Sequence, residues 1–298
     1  YNNLVYINKS KGTEKAFRNL IHCYGVGDSL VRLNTYGNNL TYELRDNFRT
    51  VATAKNTVNF NTNENHDAVI YQMTASDNSN SVSFISGTVG EAQEDYIGFT
   101  LESEIVFPKL LSPSDTTTIS VIPAFQSSSI FGMHSADASD AGDTTWASND
   151  YASLHVLAIR PEEGSRDVTF KLTSSVGNIP TLTSSLYKDV YDNSKWNFAV
   201  RLINDKYPLG DFVSGSTTSG SSLTATPYKI EFYGVNTDVD IVRSEFYLTG
   251  TVVNQDALNA VRSAKRVFAG AHRTNFTGSV LQKSDVKVSS VRYWADYL

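Results

Sequence analysis

One cysteine, Cys23, stands in 298 residues. No internal disulfide can form, which excludes a small disulfide-stapled secreted scaffold. Methionine is nearly as scarce, at two residues. No apolar run approaches the roughly 20 residues that a bilayer-spanning helix needs, so no membrane span is expected. No long basic block occurs, and the net charge is −6 with a pI near 5.4. Nucleic acid is therefore not expected as a partner. The chain has no G-x-S-x-G nucleophile elbow and no phosphate-binding glycine loop. Its five histidines, His22, His66, His134, His155 and His272, show no zinc-ligand spacing.

What is present is aromatic and alternating. Tyr (16) and Phe (15) are plentiful and apolar residues make up 40%, enough for a core and in the proportions that suit a pleated, half-buried surface. In Lys195–Leu202, Trp196, Phe198, Val200 and Leu202 share one face and Asn197, Ala199 and Arg201 the other, after the turn residues Asp192-Asn193-Ser194. Tyr228–Val235 repeats the pattern with Tyr228, Ile230, Phe232 and Gly234 on one side. Ile241–Val252 sets Val242, Ser244, Phe246 and Leu248 against Arg243, Glu245, Tyr247 and Thr249. These three segments read as neighbouring strands of a sheet with one greasy face.

Before them, residues 1–12 read as extended and then polar. Thr13–Tyr24 reads as an amphipathic helix with Phe17, Leu20, Ile21 and Tyr24 on its stripe, Thr13 as cap, Glu14 four residues before Arg18, and Gly25 as stop. Cys23 is expected to be a small packing residue of that helix. Val31, Leu33 and Tyr36 suggest a short strand. Residues 45–66, rich in Asn and Thr, hold the boundary near residue 50. It divides an attachment segment, 1–50, from a β-domain, 51–298. Strands are expected at Asp67–Thr74, Ser81–Ser86, Asp95–Phe107, Thr116–Phe125, Ser129–His134, Tyr151–Arg160, Asp167–Thr173, Arg266–Arg273 and Ser284–Tyr297, with Pro161-Glu162-Glu163-Gly164 as a hairpin turn. Val213–Thr226 is a Gly/Ser/Thr loop, and Gln255–Arg262 a short helix capped by Asn254 with Ala257, Leu258 and Val261 inward. Many short strands and few helices predict an all-β fold, a two-sheet antiparallel sandwich. The chain opens on Tyr1 and closes on Tyr293-Trp294-Ala295-Asp296-Tyr297-Leu298, which suggests a piece of a longer polypeptide.

Three groups could carry chemistry. Asp137, Asp140 and Asp143 form an acidic loop whose oxygens suit Ca²⁺, although the spacing is not that of an EF-hand. A merely solvated loop is the plainer reading. Trp146, Asn149, Asp150 and Tyr151 combine an aromatic face with polar groups, the chemistry of a sugar site; the plainer alternative is a tryptophan tucked onto the sandwich. Trp196 and Trp294 read as core or interface residues, His155 as an outward strand residue, and Arg273 with His272 and Asn275 as a polar cluster at a strand end. Glu102 and Glu104 are two apart on one strand and so share a face, either as its solvent side or as a carboxylate pair.

The order of Trp196 strand, Gly/Ser loop, Tyr228–Val235, the turn Asn236-Thr237-Asp238, a further strand and a closing Ser289-Ser290-Val291-Arg292-Tyr293-Trp294 resembles the laminin G-like, or concanavalin A-like, jelly-roll family over residues 60–298. In its glycoside hydrolases, two glutamates of one strand serve as acid and nucleophile or base, and the resemblance offers Glu102 and Glu104 for those roles. The family's Glu-x-Asp-x-x-Glu pattern is absent, since Val106 and Phe107 follow. The run from Lys9 to Leu20, closing on Cys23-Tyr24-Gly25-Val26, resembles a helix segment of bacteriophage tail and baseplate-associated proteins. Together the resemblances imply a non-enzymatic virion component, its jelly roll displayed toward host-surface polysaccharide or neighbouring virion subunits. A polysaccharide hydrolase and a cellular laminin G-like adhesion domain are the alternatives; the missing disulfides speak against the latter.

Overall fold

The structure, a computed structural model, describes residues 3–27, 30, 55–72, 85, 98–109, 125–135, 152–175, 179–205, 227–238, 241–263, 265–274 and 278–298. Contacts divide the chain into two units, Tyr1–Ala54 and Lys55–Leu298. The expected strands at Ser81–Ser86 and Thr116–Phe125 fall almost wholly outside the described residues, and those at Val31–Tyr36 and the loop Val213–Thr226 lie outside them entirely.

In the first unit, α1 (Leu4–Lys9) and α2 (Glu14–Cys23) pack on each other. The expected extended start is corrected: the Ile7 amide donates to Asn3 O at 3.1 Å and Ser10 to Tyr6 O at 3.2 Å. Four alternating residues are too few to separate a strand from one helical turn. Glu14 pairs with Arg18 at 2.6 Å, and Gly25 leaves the helix at φ 79°, a left-handed backbone that glycine adopts without strain. Thr13 makes no side-chain cap bond; its hydroxyl donates back to Ser10 O at 2.7 Å. Neither helix has a buried residue. Phe17, Leu20 and Tyr24 are exposed, and so is Cys23, which is not the packing residue expected. No described helix is long and apolar enough to cross a membrane.

The second unit is an all-β, two-sheet antiparallel jelly-roll sandwich. Its described elements are β1 (Val58–Asn59), β2 (Val69–Tyr71), β3 (Phe99–Phe107), β4 (Ser127–Ser135), β5 (Ala152–Ile159), β6 (Val168–Thr173), β7 (Leu182–Tyr187), β8 (Ser194–Asn204), β9 (Tyr228–Asp238), β10 (Ile241–Val252), α3 (Asn254–Arg262), β11 (Lys265–Gly270), β12 (His272–Arg273), β13 (Val280–Gln282) and β14 (Lys287–Trp294). Sheet A runs β1-β14-β3-β8-β9-β10 and sheet B runs β2-β11-β4-β5-β6-β7. β12 and β13 form a separate hairpin. β14, late in the chain, pairs between β1 and β3, as the resemblance implies for the last strand, although its alternation is weak, with only Val288 buried. β5 and β6 pair across the expected turn, where Gly164 takes φ 80°.

The period-two reading places the core. Trp196, Phe198, Val200 and Leu202 are buried, as are Tyr228, Ile230 and Phe232. They meet Phe170 of sheet B, whose ring centre lies 4.7 Å from Trp196, 4.9 Å from Phe198 and 5.7 Å from Phe246. β7 was not expected. It is an edge strand with most of its residues exposed or half-buried, so it carries no greasy alternation to read.

A buried ion pair joins segments far apart in the chain. Arg160, just after β5, pairs with Asp285 at 2.6 Å, their side chains 0% and 2% exposed. Its guanidinium lies 3.7 Å over the Tyr191 ring and donates to Phe125 O. The Tyr191 hydroxyl donates to the other Asp285 oxygen at 2.7 Å, and the Asp285 amide donates to Ser128 Oγ at 3.1 Å. Burial and the adjacent Asp285 hold the Tyr191 phenol well above its ordinary pKa, so it serves as a donor.

Candidate functional site

The outer face of sheet A is built in rows by strand register. One row reads Trp294–Thr100–Arg201–Glu231–Thr249, the next Arg292–Glu102–Ala199–Tyr233–Tyr247, and the third Ser290–Glu104–Asn197–Val235–Glu245. Ala199 is the small residue at the middle, and a groove of about 210 Å³ lies there, lined by Glu102, Glu104, Asn197, Ala199, Tyr233, Ser290 and Arg292. An alanine flanked by long side chains leaves a dip, because strand neighbours on one face stand about 5 Å apart.

The two glutamates do share this face, but in different states. Glu104 is 8% exposed, with Lys195 Nζ at 2.8 Å from one oxygen and Lys55 Nζ at 2.7 Å from the other. Burial alone would raise its pKa; the hydrogen bonds and charges of Lys195 and Lys55 outweigh that and hold it below the ordinary carboxylate value. It is on the outer face but covered rather than left to solvent, its carboxylate held between the two lysines. Glu102 is 34% exposed and lies 3.9 Å from Arg292. It accepts the Trp294 indole N–H at 3.1 Å. Trp294 is 42% exposed, not a core residue, while Trp196 is.

In the adjacent row Glu231, opposite Arg201, gathers a second set of donors. Buried, it takes Lys229 Nζ at 2.7 Å, Arg201 at 2.8 Å, the Tyr297 hydroxyl at 3.0 Å and the Tyr247 hydroxyl. Burial again acts to raise its pKa, and these donors and Arg201 bring it below the ordinary value. Nothing in the sequence pattern marked this residue, since three of its four partners, Arg201, Tyr247 and Tyr297, come from other segments.

Sheet B carries a second polar cluster on its outer face. β4 and β5 supply His134 and His155, and β12 brings His272 across them, with ring centres 4.4 Å apart for His155–His272 and 5.5 Å for His134–His272. Phe268 lies over His134 and His272 at 4.9 and 5.5 Å. A Cβ on Gly132 would come within 2.6 Å of the Phe268 ring, so glycine there lets the ring settle on β4. His155 is on the outward side of its strand as expected, yet it is buried beneath this cluster. Ser129 donates its proton to Gly270 O at 2.6 Å, so the 2.9 Å contact with His155 Nε2 has the imidazole N–H donating to Ser129 Oγ. Among the described residues no group of three or more His, Cys, Asp or Glu is arranged to hold a metal ion. Arg273 donates to Asp67 O at 2.9 Å and Gly278 O at 3.3 Å, tying the β12–β13 hairpin down.

Burial, then the neighbouring His272 and His134, push the His155 pKa well below the ordinary 6.5. In the unfolded chain it binds a proton near pH 6.5, so this contribution to stability is complete above that pH. It is lost as pH falls toward the folded value, at up to about 1.4 kcal/mol per pH unit. The melting temperature should drop between pH 6.5 and 5, above the carboxylate range, and His155→Gln should flatten that drop. An unchanged pH slope in the variant would remove the cluster as the cause.

Asp137, Asp140 and Asp143, expected as calcium ligands, and Trp146, Asn149, Asp150 and Tyr151, expected as a sugar site, all lie outside the described residues. No protein-family model matches the sequence, and no curated protein does. Among solved structures, the chain is similar to a heptameric SAP-like pentraxin from Limulus polyphemus, at 8% identity and TM-score 0.34, covering 72% of this chain and 69% of that one. It is also similar to an alginate lyase from Pseudomonas aeruginosa, at 12% identity and TM-score 0.35, covering 67% and 66%.

Proposed function

We propose that this chain is a non-enzymatic adhesion module of a virion, a jelly roll that presents the outer face of sheet A to a host-surface polysaccharide or to neighbouring virion subunits. The observation that carries the reading is the groove over Ala199. Tyr233, Glu102, Asn197 and Arg292 line it, and the exposed Trp294 indole donates to the Glu102 carboxylate beside it. Aromatic faces with a few fixed polar groups suit sugar rings. Hydrolysis by the glutamate pair needs one carboxyl with a raised pKa as proton donor, and Glu104 is held the opposite way by two lysines. The exposed Phe17 and Leu20 of α2, with Tyr24 just after it, support attachment through the helical segment, and repeated copies would make weak single contacts effective.

The test is a glycan-array screen run beside a reducing-sugar release assay. Trp294→Ala and Arg292→Ala should each weaken binding to the selected glycan by about tenfold or more, with no reducing ends released by the unaltered protein. Release that disappears in Glu102→Gln would replace this reading with the hydrolase. For the attachment claim, a chain truncated to 51–298 should fail to enter particles. Calcium uptake by the acidic loop is checked by calorimetry with Ca²⁺ alone.

A further inference from the structure

Strand register runs a row of lysines along one border of the groove over Ala199. Lys287, Val106 and Lys195 stand opposite one another on β14, β3 and β8. Their row is next to that of Ser290, Glu104 and Asn197, which line the groove. Val288 is buried on the inner side of β14, so Lys287 is on its outer side, where it is half-buried. Lys55 reaches the same border from before β1, with Nζ 2.7 Å from one Glu104 oxygen, and Lys195 Nζ is 2.8 Å from the other. The Lys55 and Lys195 side chains are 51% and 43% exposed, within reach of a ligand lying in the groove.

Along this border Lys55, Lys195 and Lys287 meet one carboxylate, Glu104. An ammonium has three donors, and Glu104 takes one from Lys55 and one from Lys195. That contact fixes two long side chains whose freedom a ligand would otherwise have to remove. The opposite side is arranged differently. There Glu231 takes Arg201 and the Tyr297 hydroxyl, and Arg201 donates also to Leu298 O at 2.9 Å. In the groove itself Arg292, 55% exposed, lies 3.9 Å from Glu102, so those two charges offset each other. The excess of cations beside the groove is therefore on its Lys195 side, in a chain whose net charge is −6.

We propose that the groove selects an anionic glycan, one with carboxylate or sulfate groups along its chain, lying across the strands with those groups turned toward Lys195, Lys55 and Lys287. The inference rests on the glycan-binding reading above and narrows it. A neutral sugar leaves the lysine row without a function, and a cationic one is repelled by it. Carboxylate and sulfate oxygens accept from the remaining ammonium donors in charge-assisted hydrogen bonds, and the positive border draws such a chain to the groove over a distance set by the salt concentration.

The test is the glycan array probed with the full chain, carrying two matched pairs: oligogalacturonate with its methyl ester, and dextran sulfate with dextran. The first pair isolates the carboxylate and the second the sulfate. At least one anionic member should bind about tenfold or more tightly than its neutral partner at about 0.05 M NaCl, and the gap should narrow at about 0.5 M. The double variant Lys195→Gln with Lys287→Gln should lose most of that preference while its melting temperature shows it folded. Lys171→Gln, on β6 of the other sheet, also removes lysine charge and should keep the preference. A preference that survives in the double variant, or falls as far in Lys171→Gln, would overturn the proposal. So would binding confined to neutral glycans, a result that leaves the adhesion reading standing; an array with no bound glycan at all removes both.

Discussion

Asp285→Ala should lose about 3–5 kcal/mol of unfolding free energy in urea titrations at pH 7. The substitution leaves the Arg160 guanidinium fully buried, with the Phe125 carbonyl and the Tyr191 ring but no anion. It also strands the Tyr191 hydroxyl, which donates to the same carboxylate. The cost is the desolvation of a charge that can no longer be matched, and not the net worth of the pair. The double variant Arg160→Met with Asp285→Leu should therefore recover most of the loss, because both charges leave together. Tyr191→Phe removes one charge-assisted hydrogen bond and should cost less, about 1–3 kcal/mol. A loss under about 1 kcal/mol in Asp285→Ala would mean that water reaches the site and that the pair does not hold the three segments together.

Phe170→Ala should be comparable, at about 3–5 kcal/mol. The ring projects from sheet B into a nest formed by Trp196 and Phe198 of β8, Phe246 of β10, Phe107 of β3 and Tyr187 of β7. Its removal leaves a void between stiff aromatic rings on elements of both sheets, so collapse around it is limited. Phe170→Leu keeps much of the volume and should lose well under half as much. Chemical denaturation with both variants checks the ratio. Similar losses for Ala and Leu would show that aromatic edge contacts, and not filled volume, dominate there.

Much of this sandwich was legible in the residues. Lys195–Leu202 and Tyr228–Val235 alternate because one side of each strand faces the other sheet and the opposite side faces water, and that asymmetry is imposed residue by residue. The helix at Thr13–Tyr24 was legible for the same reason at a different period. Leu4–Lys9 is ambiguous in sequence because four apolar residues fit either period. β7 leaves no mark in the sequence because an edge strand with little burial has no pattern to impose.

The candidate site was far less legible. Glu102 and Glu104 could be placed on one face by counting, but their opposite states could not: Lys55, distant in the chain, and Lys195 reach Glu104 and not Glu102. The groove exists because register sets Ala199 between Glu102 and Tyr233, and the three histidines meet because the fold sets His272 of β12 beside His134 of β4 and His155 of β5. Strand periodicity is a local property, set by each residue's own preference for water or core, and can be read one segment at a time. Which charge finds which partner depends on pairing between segments separated by tens to hundreds of residues, and that is decided only when the two sheets close on each other.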